Sequence, residues 1–316
     1  MLAGGIGGAR FLRGVRAACP DDEITAIINT GDDVTLHGLR ISPDLDSVMY
    51  TLAGAHDEER GWGRVGETWR IKDELAEYGA EPSWFGLGDL DIATHLVRTR
   101  MLDAGYSLTD VTAALCRRWT TGVTLLPMTD QRCETHVVVD LQDDGEAEPR
   151  RRAIHFQEWW VKYRSSLPAH AFVQVGIDEA APGPGVLAAI TAADVVLLAP
   201  SNPVVSIDTI LNVPGIREAV ATGPAPVVGL SPIVGGAPVR GMADSCLPVI
   251  GVETSAEGVG RHYGARSQGG LLDGWLIHDT DTADVPGVAV RAVPLLMTSA
   301  EVTADMVRAA FDLVGV

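Results

Sequence analysis

Residues 24–50 read ITAIINTGDDVTLHGLRISPDLDSVMY, and this stretch decides the fold class. The mainly apolar run at residues 23–28 predicts a buried strand. Ser42 and Pro43 then provide the residue types that favour a helix N-cap and a first helical position. Apolar side chains at residues 45, 48, 49 and 52 follow at helical spacing, and Gly54 suits the helix end. A buried strand leading into an amphipathic helix predicts an α/β protein.

Four carboxylates, those of Asp32, Asp33, Asp44 and Asp46, lie between this strand and this helix or at the helix start. Ligands of open α/β sheets bind at the carboxyl ends of the strands, and Mg²⁺ prefers carboxylate oxygens. The stretch therefore predicts a metal and phosphate site. Asp44 and Asp46 would project about 200° apart from a regular helix, so they can share one ion only if Asp44 lies in an irregular first turn.

A glycine-rich turn opens another helical pattern near the N-terminus, with Gly4, Gly5, Gly7, Gly8 and Arg10 in seven residues. Glycines let backbone N–H groups approach an anion, and a helix N-terminus favours negative charge, so we predict phosphate binding here. The alternative is a tight turn without a ligand. Arg10 stands where a dinucleotide-binding G-x-G-x-x-G motif needs its third glycine, which disfavours a nicotinamide enzyme. Because residues 1–3 are short for a first strand, we expect the true start codon a few residues upstream.

A second polar loop, Pro200-Ser201-Asn202-Pro203, follows the continuous apolar run of residues 194–198. This run predicts a buried parallel strand, so Ser201 and Asn202 are predicted to bind a nucleotide base or a phosphate at its carboxyl end. An ordinary helix-capping turn is the alternative. The loop at residues 231–238 repeats the pattern after a further predicted strand.

Aromatic residues mark two other regions. Trp159 and Trp160 are adjacent, and a strand cannot place both in one core, so one of them should face a groove, a partner or a flat ligand. Residues 60–120 are predicted to be mainly helical, forming an insertion in which His95 is a structural histidine. The polar residues 143–150 predict a solvated hairpin tip.

The chain as a whole, residues 1–316, predicts a single domain with a three-layer, Rossmann-like, largely parallel sheet.

Composition limits the classes of function. The chain has 316 residues and a net charge of −18, which opposes nucleic-acid binding and requires any anionic ligand to be held by a local device. There is no apolar run long enough to span a membrane and no signal-peptide pattern. Four widely spaced cysteines argue against zinc and disulfides. These features predict a cytoplasmic protein.

Five motifs in order resemble one family. They are GGIGGAR at residues 4–10, NTGDD at 29–33, ISPDLD at 41–46, HFQE at 155–158 and PSNP at 200–203. Together they resemble the 2-phospho-L-lactate transferase family of coenzyme F420 biosynthesis, and the glycine and NTGDD versions resemble its actinobacterial branch, which uses an enolpyruvyl rather than a lactyl donor. Archaeal members tend to carry a basic residue in a later Gly-Asp-x-Asp loop, where this chain has Leu90 and Ile92, so that contact is not carried over.

The resemblance implies a Mg²⁺-dependent homodimeric phosphotransferase. Its substrates would be a guanosine-diphosphate-linked three-carbon acid and the deazaflavin FO, whose ribityl hydroxyl attacks the outer phosphorus and releases GMP. The expected roles fall into three groups. Asp46 and Asp33 would be catalytic; Asp33, Asp44 and Asp46 would bind the metal; and the substrates would contact Gly4, Gly5, Gly7, Gly8, Arg10, Thr30, Asp32, Trp159, Ser201 and Asn202. A nucleotide-sugar-binding regulatory protein of related fold is the alternative, and an NAD-linked oxidoreductase is a third, disfavoured reading.

Overall fold

The computed structural model describes residues 1–142 and 148–316, so the centre of the predicted hairpin tip, residues 143–147, lies outside the described residues. The strands of the described part are β1 (Leu2–Ala3), β2 (Thr25–Ile28), β3 (Val34–Leu36), β4 (Leu39–Ile41), β5 (Thr124–Pro127), β6 (Glu134–Leu141), β7 (Arg150–His155), β8 (Ala169–Val175), β9 (Val196–Leu198), β10 (Val227–Leu230), β11 (Ile233–Val234), β12 (Ala237–Pro238), β13 (Gly274–His278) and β14 (Ala289–Val293).

The helices are α1 (Gly5–Ala18), α2 (Pro43–Leu52), α3 (Arg70–Glu77), α4 (Asp89–Asp103), α5 (Leu108–Trp119), α6 (Val186–Ala192), α7 (Asp208–Leu211), α8 (Ile216–Thr222), α9 (Ala243–Cys246), α10 (Ala256–Tyr263) and α11 (Ala300–Val314). Residues 60–120 contain α3, α4 and α5 and no strand. None of the helices in the described part of the chain is long and apolar enough to cross a bilayer.

The main sheet has seven strands in the order β14-β13-β10-β9-β1-β2-β5. Every neighbouring pair in it is parallel. From β1 the chain first builds outward through β2 to β5, and later returns to the other side of β1 with β9 and builds outward through β10 to β14. The order of the strands therefore reverses between β1 and β9, which is the position where α/β sheets bind ligands. The predicted α/β class with a largely parallel sheet is confirmed.

Alternating side chains of the sheet feed two separate cores, because successive residues of a strand point to opposite faces. Leu2 and Ile27 belong to one core, whereas Ala3 and Ile28 belong to the other. A sheet covered on both faces gives the three predicted layers. A smaller antiparallel sheet, β7-β6-β8, packs its Val137 and Val139 into the first core and extends the cleft beside the main sheet. The sequence did not predict it as a separate sheet.

Helix α1 lies against α11 at a glycine that tolerates no larger residue. A Cβ built on Gly14 would lie 2.3 Å from Cγ2 and 2.5 Å from Cβ of the buried Thr303. We expect Gly14→Ala to lower the free energy of unfolding by about 1–3 kcal/mol through overpacking, although alanine is the better helix former by about 1 kcal/mol.

The control exchanges the same two residue types, glycine and alanine, at an exposed position of α1. Ala17→Gly should destabilise the protein by about 1 kcal/mol through helix propensity alone. We therefore expect urea unfolding to show that the protein is more stable with glycine than with alanine at position 14, and more stable with alanine than with glycine at position 17. Equal or greater stability of Gly14→Ala would contradict this packing.

Candidate active site

A large cleft opens at the carboxyl edge of the main sheet. Its floor is formed by the loops that follow β1, β2, β9 and β10, so that the predicted loops of residues 4–8, 200–203 and 231–238 meet around the strand-order reversal. The cavity volume is about 1860 Å³. Because pockets for single small molecules typically measure about 300–1,000 Å³, this cleft has room for two substrates side by side.

The glycine loop lies against the Ser201 loop across the strand-order reversal. The Gly4 N–H donates to Ser201 Oγ over 3.1 Å, and the Ser201 hydroxyl donates to the Gly4 carbonyl over 2.7 Å. There is no room for side chains here, because a Cβ on Gly7 would lie 2.8 Å from the Pro200 carbonyl oxygen, and one on Gly8 2.8 Å from Ser201 Oγ. The glycines thus bring the start of α1, with its free N–H groups, directly to the cleft.

Asp32 and Asp44 form a buried carboxylate pair in the cleft beside this helix start. The Asn29 amide donates to Asp44 Oδ2 over 2.9 Å, and the Gly5 N–H also donates to this carboxylate. Burial raises the pKa of Asp44 to about 6 despite these two hydrogen bonds. Burial and then the charge of Asp44 raise the pKa of Asp32 well above its usual range. Two acids that resist ionising together form an arrangement that a bound cation would stabilise.

Asp33 points away from the cleft. Its carboxylate accepts a 2.7 Å hydrogen bond from the Ser42 hydroxyl and lies 3.1 Å from the Arg40 guanidinium. Burial raises the pKa of Asp33 to about 6, and the Arg40 charge acts in the opposite direction. Ser42 is the N-cap residue of α2, as predicted, but its side chain binds Asp33 instead of a helix N–H.

Asp46 belongs to a different cluster from Asp44. Both acids lie in the first turn of α2, which is regular from Pro43 onward, so their side chains diverge. Asp46 binds the Arg98 guanidinium and, with Asp91 and His95, forms a group whose potential ligand atoms lie within 4.8 Å of one another. Within the described residues, Asp33, Asp44 and Asp46 form no such common group. Asp44 therefore does not lie in an irregular first turn, which was the condition for Asp44 and Asp46 to share one ion.

Basic side chains gather on the cleft of this acidic protein. Six basic and six acidic residues line it, although the whole chain has 24 basic and 42 acidic residues. Arg13 lies 2.7 Å and Arg10 3.4 Å from the carboxylate of Glu58, which is half exposed. Burial, then the nearby charge of Arg240, lowers the pKa of Arg10. Arg10 and Arg13 share one exposed acid, and the charge of Arg240 lies near Arg10. The three arginines form a local anion-binding device of the kind that the net charge requires.

An aromatic wall adjoins this basic region. The rings of Trp62 and Trp69 meet edge to face with centroids 5.6 Å apart, and the Arg60 guanidinium lies 4.9 Å from the Trp69 centroid. Trp84 and Phe85 add a second edge-to-face pair at 5.8 Å. All of these residues come from the helical insertion and line the cleft. They form a surface suited to a flat, apolar ring.

The prediction that Trp159 contacts a ligand was wrong. Its indole is 1% exposed, donates to the Leu167 carbonyl over 2.8 Å and packs edge to face on Phe172 in the core. Trp160 lines the cleft instead, so one tryptophan of the pair does meet a groove. Residues 158–162 form a π-helical turn, and this turn directs Trp159 into the core and Trp160 to the cleft.

The other predicted substrate-binding residues divide into two sets. The residues that line the cleft are Gly4, Gly5, Gly7, Arg10, Asp32, Ser201 and Asn202. Gly8 lies behind the loop, and Thr30 is buried outside the cleft with no hydrogen-bond partner for Oγ1 among the described residues. Asn202 also caps the π-helical turn at residues 203–207, since its Oδ1 accepts from the Val204 N–H over 3.0 Å. The binding and capping interpretations of this loop are thus compatible.

Sequence reasoning missed several residues of the cleft. Asp91 and Arg98 join His95 on the buried face of α4, and the signal was available in their helical spacing of four and three residues. Arg13 lies one turn after Arg10 on α1, which the same spacing indicates. Arg240 follows the hairpin β11–β12, and no local pattern marks it.

A parallel sheet with a glycine loop, paired carboxylates and basic side chains at its strand-order reversal defines an α/β protein of the class that handles phosphate groups. Residues 1–309 match the family described as 2-phospho-L-lactate transferase CofD, and the chain belongs to this family. It is therefore a transferase of that family, and the resemblance inferred from its motifs is confirmed.

Two bacterial relatives are similar along the full length. A phosphoenolpyruvate transferase from Nocardia farcinica is 65% identical over 317 residues, covering 100% of this chain and 94% of that protein. One from Mycolicibacterium smegmatis is 59% identical over 325 residues, covering 100% and 98%. A crystal structure of a UPF0052 family member from Bacillus halodurans is 16% identical and covers 97% of both chains with a TM-score of 0.59, which shows the shared fold.

Proposed function

We propose that this protein acts in coenzyme F420 biosynthesis. It transfers the phosphate that bears a three-carbon acid from a GDP-linked donor to the ribityl hydroxyl of the deazaflavin FO. The hydroxyl oxygen forms a bond to the outer phosphorus, the bond from that phosphorus to the bridging oxygen breaks, and GMP leaves. The hydroxyl proton is lost, and the product is a phosphodiester. The names of the two bacterial relatives support an enolpyruvyl donor rather than a lactyl donor.

The donor would bind with its diphosphate over the glycine loop. The start of α1, residues 5–7, lines the cleft, and Arg10, Arg13 and Arg240 supply positive charge beside it. The loops of Ser201 and Ser231 continue along the same edge and leave room for the guanosine. This arrangement supports an anionic donor because transferring a phosphoryl group demands charge neutralisation and alignment above all.

Asp32 and Asp44 fit a magnesium ion. Both are buried carboxylates on the cleft, and Asp32 Oδ1 has no hydrogen-bond partner among the described residues. Oxygen donors of this kind are what Mg²⁺ prefers. When bound, the ion would supply charge neutralisation to the diphosphate. Asp33 and Asp46 were predicted ligands as well, but each already has an arginine partner, so we assign the ion to the Asp32–Asp44 pair.

FO would bind along the aromatic wall of the cleft. The wall of Trp62, Trp69, Trp84 and Phe85 offers apolar ring faces and edges for the deazaflavin. Asp46 lines the cleft, and its buried Oδ2, 3.6 Å from His95 Nδ1, accepts no hydrogen bond from the described residues. It is therefore placed to accept a hydrogen bond from a ribityl hydroxyl and to orient its oxygen.

The observation that carries the proposal is the position of the Asp32–Asp44 pair beside the start of α1, in a cleft that basic and aromatic side chains also line. The test is to incubate the purified protein with FO, Mg²⁺ and either the enolpyruvyl or the lactyl donor, and to identify the products by mass. We expect one equivalent of GMP per phosphodiester, with the enolpyruvyl donor preferred. Binding of UDP-sugars without GMP release from either donor would contradict the proposal and favour the regulatory alternative.

Arg10 gives a separate prediction about donor binding. Arg10→Met should weaken GDP binding about 10- to 100-fold, because a hydrogen bond to a charged group contributes about 1.5–3 kcal/mol, and it should flatten the salt dependence of the affinity. Arg308→Met on α11 is the matched control, since Arg308 lies outside the cleft. Isothermal titration calorimetry at several salt concentrations measures the GDP affinity of both variants and its salt dependence. Equal GDP affinity of the two variants would exclude Arg10 from the anion site.

A further inference from the structure

Helix α4 is packed with a polar face inward. Asp91, His95 and Arg98 are buried at helical spacing, whereas Leu96 and Val97 on the other side of the helix are each 47% exposed. Burying an ion pair gives little net stability compared with an apolar core of the same volume. This inverted packing therefore needs an explanation other than stability.

Arg98 supplies the positive charge of this buried cluster. It is 1% exposed, its Nη2 contacts Asp46 Oδ1, and its Nη1 lies 3.4 Å from the Arg40 carbonyl oxygen and 3.1 Å from His95 Nδ1. An arginine has donors only, so His95 Nδ1 must be the acceptor and the imidazole proton lies on Nε2. That nitrogen lies 3.4 Å from Asp91 Oδ2. His95 thus has no lone pair left for a metal on either side.

The same contacts fix the orientation of Asp46. Arg98 contacts Oδ1. Asp46 lines the cleft, and its Oδ2 is buried, lies 3.6 Å from His95 Nδ1 and has no hydrogen-bond partner among the described residues. Tyr50 braces the far end of the cluster through a 2.7 Å hydrogen bond to Asp91. One oxygen of Asp46 is therefore held by Arg98, and the other can still accept a hydrogen bond.

We propose that Arg98 is a positioning residue that acts through Asp46, and that the Asp46–Asp91–His95 cluster is occupied by this guanidinium rather than by a metal ion. The inference rests on the proposed function, in which Asp46 orients the acceptor hydroxyl. The helical insertion would then contribute to the site in two ways: through the aromatic wall, and through Arg98 of α4, whose guanidinium contacts Asp46.

The claim that the cluster holds no metal ion is tested by titrating the protein with Mn²⁺ in the absence of substrates. Electron paramagnetic resonance detects the bound Mn²⁺. His95→Ala and Asp91→Asn should leave the Mn²⁺ affinity within about threefold of that of the unmodified protein. Asp32→Asn should lower it at least tenfold. Loss of Mn²⁺ binding on His95→Ala, in a protein that remains folded by circular dichroism, would overturn the assignment of the cluster to Arg98.

The positioning part is tested by a double-mutant cycle on kcat with FO as acceptor. Arg98→Met and Asp46→Asn should each lower kcat at least 30-fold with GDP affinity within threefold, and Arg98→Lys should lie between Arg98→Met and the unmodified enzyme. The double variant should be no slower than Asp46→Asn within threefold, because Arg98 acts only through that carboxylate. A further 30-fold fall in the double variant would overturn the proposal.

Two controls keep the cycle interpretable. Arg100→Met removes an exposed arginine of the same helix and should leave kcat unchanged. If Arg98→Met alone fails to fold because Asp46 is left unpaired, the double variant, which lacks both charges, still gives the decisive comparison with Asp46→Asn. If the unmodified enzyme forms no product, the proposed function fails, and the Mn²⁺ titrations still decide what occupies the cluster.

Discussion

Asp44→Asn should lower turnover by about 10²- to 10⁴-fold and, in metal-free buffer above pH 7, should make the folded protein more stable. The loss of turnover follows because the amide cannot hold a cation or complete the Asp32–Asp44 pair. The gain in stability follows because the buried carboxylate ionises at a cost, which the raised pKa of about 6 reports.

The sign of the pH dependence is fixed by that raised pKa. The folded state binds the Asp44 proton more tightly than the unfolded chain, for which the pKa is 3.8. This contribution to stability is complete below about pH 4 and is lost as the pH rises through 6. The difference corresponds to about 3 kcal/mol for one buried group, which Asp44→Asn should recover at pH 7.5.

Urea unfolding at pH 4.5 and pH 7.5 measures this effect, and product formation at saturating Mg²⁺ measures turnover. Asp305→Asn, on the exposed side of α11, is the control and should change neither quantity appreciably. Normal turnover by Asp44→Asn would remove the carboxylate pair from the mechanism. A stability difference that does not depend on pH would contradict the environment described for Asp44.

Gly4→Ala should have the second largest effect, a fall of at least 100-fold in kcat/KM. The backbone of Gly4 is extended and would accept alanine, so the obstacle is space. A Cβ there would lie 2.6 Å from Asp44 Oδ2, 2.7 Å from Ser206 Cβ and 2.8 Å from Ser206 Oγ. The added methyl group must displace the carboxylate or the loop, and a displacement of about 1 Å at a reacting centre can cost about 10²-fold in rate.

The clash can be partly relieved by a second change. Gly4→Ala combined with Ser206→Gly removes two of the three close contacts and leaves the one with Asp44. We expect the double variant to recover thermal stability more fully than Mn²⁺ affinity, because the carboxylate is still displaced. Steady-state kinetics and Mn²⁺ titration of both variants provide the comparison. A fully active Gly4→Ala would show that the glycine loop and Asp44 are farther apart during catalysis than in this structure.

The parts of the fold and site that local patterns control were predictable from the sequence. The run at residues 23–28 and the spacing in α2 predicted a strand and a helix. The glycines at residues 4–8 were predicted to open a helix, and the Ser201 loop was predicted to lie at the carboxyl end of a parallel strand. Because parallel strands align those ends at one edge, their meeting in one cleft followed from the fold class.

The roles of adjacent residues were not predictable in the same way. Asp32 and Asp33 are neighbours with the same chemistry, yet Asp32 faces the cleft and Asp33 turns to Arg40. Trp159 was predicted to contact a substrate, yet Trp160 lines the cleft and Trp159 lies in the core. Which of two like neighbours faces the ligand depends on loop geometry that no periodicity encodes.

Contacts between residues far apart in the sequence were not predictable either. Arg98 binds Asp46 from 52 residues away, and neither residue's local pattern indicates the other. The buried polar spacing of Asp91, His95 and Arg98 shows only that these side chains share a face of α4. Placing that face under the acidic loop required the tertiary structure.

The most direct test of the central claim is a crystal structure of the protein with GDP, FO and Mg²⁺. We predict that the GDP phosphates lie over the start of α1, that the ion is bound by Asp32 and Asp44, and that the deazaflavin ring rests on the wall of Trp62 and Trp69. Electron density for the diphosphate away from the glycine loop, or for the ion among Asp46, Asp91 and His95, would contradict the account.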